Sequence, residues 1–238
     1  MDQQLQLNHF LNDINQEKKD KYKELFIKNK KLKINNFFKH VFAEYLFKNL
    51  QGDKNWILAT GINKNKYEKK ISTQNDKINA LQIKNVTTAF GSDHFSYIFH
   101  RTMNGGNGMS FFEYSLRQTL SSKSFIDLLN EITGLQLTKL NTLFASKYST
   151  GNFLSPHSDK GNGKIAFVIN MTKYWKPQYG GNLHFLSDDR RDIIETWVPD
   201  FNNFVIFDVP EDTGIPHFVS HVSPAVKYHR YALTGWFE

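Results

Sequence analysis

Residues 142–171 read TLFASKYSTGNFLSPHSDKGNGKIAFVINM, and the residues after 171 continue the same pattern. Short apolar runs alternate with clusters of Gly, Pro, Ser and Asn, which is the pattern of an all-β sandwich or barrel. Seven or eight strands of this length suit a jelly roll, so we predict a mainly β fold with flanking helices. The predicted strands are 143–148, 165–171, 182–186, 193–197, 204–208, 217–222 and 228–237.

The residues before this region predict helices. The range 8–31 mixes apolar with charged residues. Six apolar residues in 37–46 recur at helical spacing behind two asparagines that can cap a helix. A third helix is predicted from Ser124, with an acidic residue three positions later, to the terminating Gly134.

The same part of the chain also contains strand and loop signals. We predict strands at 56–58 and 95–100 and a connecting loop at the glycine-rich run 104–108, with a mobile lid as the alternative. No low-complexity linker separates the halves. We therefore expect one domain over 1–238, with a helical and mixed support and substrate region at 1–141 and the barrel core at 142–238.

The composition limits the chemistry available. The chain has no cysteine, so His, Asp or Glu must hold any metal. The net charge of +7 could attract nucleic acid. Many lysines lie in 18–33, where helical spacing leaves them on a solvated face, so we expect no nucleic-acid partner. The first residues do not form a secretory leader, and no apolar stretch is long enough for a membrane span. We expect a cytoplasmic protein without a membrane partner.

Two candidate metal ligands lie within the quoted stretch. His157 and Asp159 are two residues apart, so on an extended segment their side chains point to the same side and can reach one ion. Alone, this pair is better explained by a surface turn. Iron held on one face by two His and one carboxylate keeps three positions open. A third ligand should then come from a distant strand, where His217 and His221 are the candidates.

The last predicted strand carries a second set of candidates. Arg230, Ala232, Thr234 and Trp236 alternate along it and therefore share one face. A buried guanidinium requires an anionic partner, and its fork matches a carboxylate through two parallel hydrogen bonds. No acidic residue shares this face, which favours a dicarboxylate co-substrate. An aspartate from a neighbouring strand is the alternative partner.

Together, these features resemble the 2-oxoglutarate/iron(II) dioxygenase superfamily, specifically its prolyl hydroxylase-like branch. The similarity covers 144–237 and rests on the order and spacing of several motifs. In chain order they are Tyr148 with Gly151, His157-Ser-Asp159, the apolar strand 165–171, Trp175, Gly180-Gly-Asn-Leu-His-Phe185, Asn203-Phe-Val-Ile-Phe-Asp208, Pro216-His217-Phe-Val219 and Arg230-Tyr-Ala-Leu-Thr-Gly-Trp236. Asn170 departs from the pattern, since related prolyl hydroxylases often place there a Tyr that contacts the co-substrate.

The resemblance implies a double-stranded β-helix that binds Fe(II) and 2-oxoglutarate, with O2 as oxidant and ascorbate as reductant. The distal carboxylate of 2-oxoglutarate would meet Arg230, with Tyr148 beside it. The family pattern of a His followed by a Val two residues later, and often by another three beyond that, favours His217 over His221 as third ligand. Thr234 and Trp236 are further cofactor-binding candidates, because they share a face with Arg230.

The implied activity is hydroxylation of an unactivated C–H bond. Relatives that halogenate have a small residue in place of Asp159, so its presence favours hydroxylation. The leading substrate is a prolyl residue in a protein, and a free amino acid or related small molecule is the alternative. Nucleic-acid demethylation is favoured only by the basic charge. A non-catalytic barrel that senses a carboxylate or metal is the alternative of another class.

Overall fold

The structure is a computed structural model that describes residues 9–52, 56–63, 76–102, 111–210 and 214–238. The predicted loop 104–108 lies outside these residues. The helices are α1 Gln16–Asn29, α2 His40–Gln51, α3 Asp76–Gly91, α4 Phe111–Ser121 and α5 Lys123–Thr133, with a 3-10 turn at Pro177–Tyr179. The strands are β1 Lys31–Ile34, β2 Ile57–Ile62, β3 Ser96–Arg101, β4 Leu140–Tyr148, β5 Phe153–His157, β6 Ile165–Asn170, β7 Leu183–Leu186, β8 Ile193–Trp197, β9 Asn203–Asp208, β10 His217–Val219 and β11 Arg230–Phe237.

The strands form one curled antiparallel sheet. Its order is β1-β9-β6-β11-β4-β3-β5-β10-β7-β8, with β2 attached to β3. The strand β3 joins two parts of the sheet, because its end pairs with β4 while its middle pairs with β5. The fold is therefore mixed, with a curled antiparallel sheet flanked by helices, and it confirms the predicted double-stranded β-helix class.

The helices pack on one face of this sheet and enclose an apolar core. Phe125 on α5, with no exposed surface, has its ring 6.1 Å from Phe204 and 6.0 Å from Phe237, which lie on β9 and β11. The sequence predicts this helix well, but its N-cap is Ser122, whose hydroxyl accepts from the backbone N–H of Phe125, rather than Ser124. Gly134 ends the helix in the left-handed conformation, as predicted.

Several predicted boundaries are wrong. The helix predicted for 37–46 begins only at His40, and Phe37 and Phe38 precede it as buried core residues. Their apolar side chains serve the core from an irregular segment, which periodicity alone does not distinguish from helix. The strand predicted for 217–222 ends at Val219. The helices α3 and α4 and the strands β1 and β5 were not among the predicted elements.

The opposite face of the sheet curls around a cavity. Aromatic and aliphatic side chains of the inner layer, including Phe144, Phe207 and Val219, line it. No helix of the described residues is both long enough and apolar enough to cross a membrane.

Candidate active site

Strand register brings two histidines and a carboxylate together at one end of the cavity. His157 at the end of β5 and His217 at the start of β10 are direct cross-strand partners, and Asp159 follows two residues after β5. Their Nε2 atoms lie 3.4 Å and 3.6 Å from the two carboxylate oxygens of Asp159. Potential ligand atoms of all three residues lie within 4.8 Å of one another, so one metal ion can reach all three.

Both imidazoles are held in the tautomer that metal binding requires. The Nδ1 atom of His157 lies 2.9 Å from the carbonyl oxygen of Ser155, and that of His217 lies 2.8 Å from the carbonyl oxygen of Ile215. Because a carbonyl oxygen can only accept, each Nδ1 carries the proton and each Nε2 presents a lone pair to Asp159. Two lone pairs and a carboxylate that converge in a buried place are stabilised by a cation between them.

Burial sets the protonation states at this cluster. Burial, and to a lesser extent the neighbouring His157, lower the pKa of His217 to about 4, so this imidazole is neutral near pH 7. Burial also raises the pKa of Asp159, but the adjacent imidazoles outweigh it and the net pKa is lowered. The carboxylate is therefore ionised while the imidazole is neutral, which are the states that bind metal. The arrangement fits Fe(II), for which a two-His, one-carboxylate set with open positions is diagnostic.

His221, the other candidate for third ligand, lies elsewhere. It follows the end of β10, and its ring stacks on Phe153 at 4.1 Å and meets Phe90 edge-on at 4.7 Å. It is not a member of the metal-binding cluster. Its spacing from His217 would place both histidines on one face of a continuous strand, but β10 ends between them and His221 does not line the cavity.

A buried arginine lies in the wall of the same cavity. Arg230 is 3% exposed and is the cross-strand partner of Tyr148, whose ring lies 4.8 Å beneath the guanidinium. No Asp or Glu of the described residues forms an ion pair with it, so the alternative of a neighbouring aspartate does not apply there. Its Nε has no hydrogen-bond partner within the part of the chain that the structure describes. A buried guanidinium in this state favours an anionic ligand.

Two asparagines support this arginine, and one of them was not predicted. Arg230 Nη2 donates weakly, at 3.4 Å, to Oδ1 of Asn170, whose Nδ2 donates at 2.9 Å to Oδ1 of Asn203. Asn203 is 1% exposed, and its own Nδ2 has no partner. Asn170 thus holds the guanidinium from the side. Nothing in the spacing of Asn203 distinguishes it from a residue that simply begins a strand.

One cavity of about 990 Å³ connects the metal-binding cluster with Arg230. Tyr148, Thr234 and Trp236 also line it, as the predicted strand face requires. Burial raises the pKa of Tyr148 to about 12, so its hydroxyl stays protonated and can donate. The indole N–H of Trp236 is buried and directed at Asp159, and it helps to lower the pKa of that carboxyl.

Strand β3 supplies a wall of the cavity that was not predicted. Tyr97, Phe99 and Arg101 alternate along it, so their side chains share the face that lines the cavity. Phe99 stacks on Tyr148 at 4.9 Å. Just before the strand, Phe95 has its ring 5.5 Å from that of His157. The alternation was visible in the sequence, but which face would meet the site depends on pairing with both β4 and β5.

Comparisons with known proteins agree with this site. Residues 143–238 match a protein family described as the 2OG-Fe(II) oxygenase superfamily. No curated protein sequence matches the chain. A prolyl-4-hydroxylase of Pseudomonas putida shares the fold with a TM-score of 0.62 at 14% identity, over 92% of this chain and 98% of that one. A prolyl hydroxylase of Trichoplax adhaerens, solved with a hypoxia inducible factor peptide fragment, has a TM-score of 0.61 at 16% identity, over 94% and 93%. At such identities the likeness shows the fold alone.

Proposed function

We propose that this chain, which belongs to the 2OG-Fe(II) oxygenase superfamily, hydroxylates an unactivated C–H bond of a prolyl residue in a protein. The observation that carries the proposal is the convergence of His157, Asp159 and His217 in one cavity with a buried arginine that lacks an anionic partner. The three metal-binding residues provide a site with open positions, and the arginine provides a site for a dicarboxylate.

In this proposal, the metal ligands are Nε2 of His157, Nε2 of His217 and a carboxylate oxygen of Asp159. When bound, Fe(II) with 2-oxoglutarate and O2 supplies the oxidation of the C–H bond, with succinate and carbon dioxide as co-products. Family membership and the ligand cluster imply both cofactors. We also propose ascorbate as the reductant that keeps the iron ferrous.

The chain's own residues bind and orient the co-substrate. Arg230 grips the distal carboxylate, and Tyr148, whose hydroxyl stays protonated, lies against the guanidinium. Asn170 stands where a tyrosine is often found, but its amide oxygen already engages the guanidinium, so it positions Arg230 for the carboxylate. We assign the remaining hydrogen bond to the hydroxyl of Thr234, and we place Trp236 near the metal-bound end, because the indole lowers the pKa of Asp159.

The aromatic wall favours a substrate with an apolar ring. Phe95 and Tyr97 extend from His157 along β3 and exclude water from that side of the cavity. A pyrrolidine ring can pack against such faces, whereas a strongly hydrated group would lose its water there. The fold shared with two prolyl hydroxylases supports the same choice. A free amino acid is the alternative substrate, and we further propose that 1–238 act as one domain in the cytoplasm.

Succinate release from 2-oxoglutarate tests this function directly. The protein is incubated with Fe(II), ascorbate and either proline-containing peptides, the same peptides with Pro→Ala, or free amino acids. We expect turnover that requires the Pro of the peptide and a mass gain of one oxygen on it. Turnover only with a free amino acid would assign the alternative substrate. Iron binding by His217→Ala and His221→Ala, compared side by side, checks the third ligand, and loss with His221→Ala alone would refute the assignment.

A further inference from the structure

We infer that the free edge of β8 binds an extended segment of the substrate polypeptide as an added strand, close to the residue that enters the cavity. The inference rests on the proposed hydroxylase function and describes how the protein holds that substrate. Three features of the β7–β8 hairpin support it: an unpaired backbone edge, exposed apolar side chains at the start of that edge, and a turn that connects the edge to the cavity wall.

The strand β8 lies at one end of the sheet, so one of its edges is open. Within the described residues, β7 is its only strand partner, and no hydrogen bond outside that pairing involves the backbone of Ile193–Trp197. In an antiparallel ladder, every second residue directs its N–H and C=O away from the partner strand. The outer edge of β8 therefore presents a row of donors and acceptors on which another extended chain can pair.

The start of this edge exposes apolar side chains. Ile193 and Ile194 are 54% and 59% exposed. The register shifts at this point, so Ile194 has no partner residue on β7, and bulges near active sites commonly re-aim a side chain. Free edges are usually protected by charged residues or Pro, and neither occurs at these two positions. The charge of the next residue, Glu195, is paired with Lys31 of β1 at 3.2 Å. The edge therefore suits an apolar, uncharged segment.

The hairpin connects this edge to the cavity at two places. Leu183 on β7 lines the cavity and is the cross-strand partner of Trp197 on β8. Arg190, in the turn between the two strands, also lines the cavity. It precedes Ile193 by three residues, so at most about 11 Å of chain separates them. A polypeptide whose target residue lies in the cavity can thus reach β8 with a few further residues.

Hydrogen bonds fix the turn that carries Arg190. The N–H of Ser187 donates to the carbonyl oxygen of Asp192 at 2.9 Å, and the N–H of Asp192 donates to Oγ of Ser187 at 3.1 Å. The N–H of Arg190 donates to the carbonyl oxygen of Ser187 at 2.8 Å, and Arg190 has a left-handed backbone with φ of 62°. A turn fixed in this way holds the edge at a constant position beside the cavity, which lowers the entropy lost on binding.

A substrate segment suits this edge better than a second copy of the chain does. The strand β8 has five residues, and two such edges paired with each other would bury far less than the roughly 1,000 Å² of a stable interface. A substrate does not need that area, because the same chain is also held in the cavity and the two contacts reinforce each other.

Peptides methylated on alternate backbone nitrogens test this inference. The probe is a fluorescent peptide with one Pro between two flanks of alternating Val and Ser, each about six residues long, the usual length of a strand. One variant carries N-methyl groups on the odd-numbered flank residues and another on the even-numbered ones. Each is titrated by fluorescence anisotropy into protein loaded with Fe(II) and 2-oxoglutarate in the absence of O2.

We expect the two methylated peptides to differ at least roughly tenfold in affinity, because successive N–H groups of a strand point to opposite sides and only one set would face β8. The double variant Ile193→Lys with Ile194→Lys places two charges at the start of the edge and should weaken binding of the unmethylated peptide roughly tenfold. Ile27→Lys, at a side chain 52% exposed on α1, is the matched control and should bind the peptide normally. Iron binding and thermal midpoints establish that each variant is folded.

Equal binding of the two methylated peptides would overturn the inference, as would an unchanged peptide affinity in the β8 double variant. Light scattering measures the mass of the unmodified protein, which we expect to be that of a monomer. A dimer that the double variant converts to a monomer would assign the edge to a second copy instead. The proposed function fails separately, because it requires succinate release to depend on the Pro of the peptide, whereas the inference requires binding to depend on the amides of the flanks.

Discussion

The two faces of strand β11 differ in chemistry although they belong to the same eight residues. Tyr231, Leu233 and Phe237 face the helices and join an apolar core. Arg230 and Trp236 line the cavity with buried side-chain nitrogens, and Nε of Arg230 has no hydrogen-bond partner among the described residues. One face stabilises the fold, and the other keeps polar groups available for ligands at a cost in stability. Substitutions on the two sides should therefore separate function from stability.

The largest effect is expected on the cavity side, at Asp159. Asp159→Ala removes the only carboxylate of the metal-binding cluster. We expect iron binding to be lost and turnover to fall at least roughly a thousandfold, which corresponds to about 4 kcal/mol. The free energy of unfolding of the metal-free protein should fall only slightly near pH 7, because the lowered pKa of Asp159 means that the folded protein favours its ionised form. Iron content, succinate release and urea unfolding measure these quantities. The exposed Asp189→Ala is the control, and normal turnover of Asp159→Ala would refute the site.

On the helix side, Phe125→Ala should lower stability and leave the binding of iron and 2-oxoglutarate unchanged. The ring is fully buried against Phe204 and Phe237, so its loss leaves a cavity and costs about 3–5 kcal/mol of unfolding free energy. The folded fraction should bind iron and 2-oxoglutarate as before. Urea midpoints and metal titrations test this, with Tyr114→Ala, at a side chain 54% exposed, as the control. A change in iron affinity comparable to the loss of stability would show that the two faces are not independent.

The pH dependence of stability should come from the cavity side, through His217. The pKa of His217 is lowered from 6.5 to about 4 in the folded protein, chiefly by burial. The unfolded chain therefore binds more protons between these values, so stability falls as the pH falls through this window. For the metal-free protein we expect a loss of up to about 3 kcal/mol between pH 6.5 and 4. The lowered pKa of Asp159 acts in the same direction at still lower pH.

Urea unfolding across this pH range measures the effect. His217→Gln cannot titrate, so its stability should change less over the same window. His40→Gln, at a side chain 80% exposed, should keep the full pH dependence. Parallel curves for His217→Gln and the unmodified protein would assign the pH dependence to another group.

A smaller effect is expected from Arg230→Gln. The amide can still reach Asn170 but cannot pair with a carboxylate, so the concentration of 2-oxoglutarate needed for half-maximal turnover should rise roughly 10- to 100-fold. Stability should be unchanged or improved, since an unpaired buried charge is removed. Iron affinity, measured without 2-oxoglutarate, should stay the same. A loss of iron affinity instead would place the arginine's role at the metal.

The sequence predicts the cavity face of β11 more completely than the region before it. The alternation of Arg230, Thr234 and Trp236 is local, and the structure places all three in the cavity wall. The choice between His217 and His221 depends on where β10 ends, and the spacing of the residues does not reveal this. It was the family pattern, rather than strand geometry, that favoured the residue found in the cluster.

Side chains that reach the cavity through the pairing of strands distant in sequence were not predictable in the same way. Arg101 reaches the cavity wall from the end of β3, where the strand pairs with β4 on one side and β2 on the other. Gly61 lies opposite Tyr97, and a methyl group there would overlap the tyrosine ring, so this glycine allows the ring its position. Neither contact leaves a periodic signal in the sequence, because each joins residues from separate strands.

The smallest effect is expected from Thr234→Val, which changes the cavity side by a single hydroxyl. The two side chains have nearly the same shape, so packing against the neighbouring strand should persist. If the hydroxyl donates to 2-oxoglutarate, its loss should raise the requirement for this co-substrate about fivefold, equivalent to about 1 kcal/mol. The matched change on the helix side, Leu233→Val, should leave that requirement unaltered and lower only the urea midpoint. An unchanged 2-oxoglutarate requirement in Thr234→Val would leave the distal carboxylate to Arg230 and Tyr148. The hydroxyl of Thr234 would then have no part in binding the co-substrate.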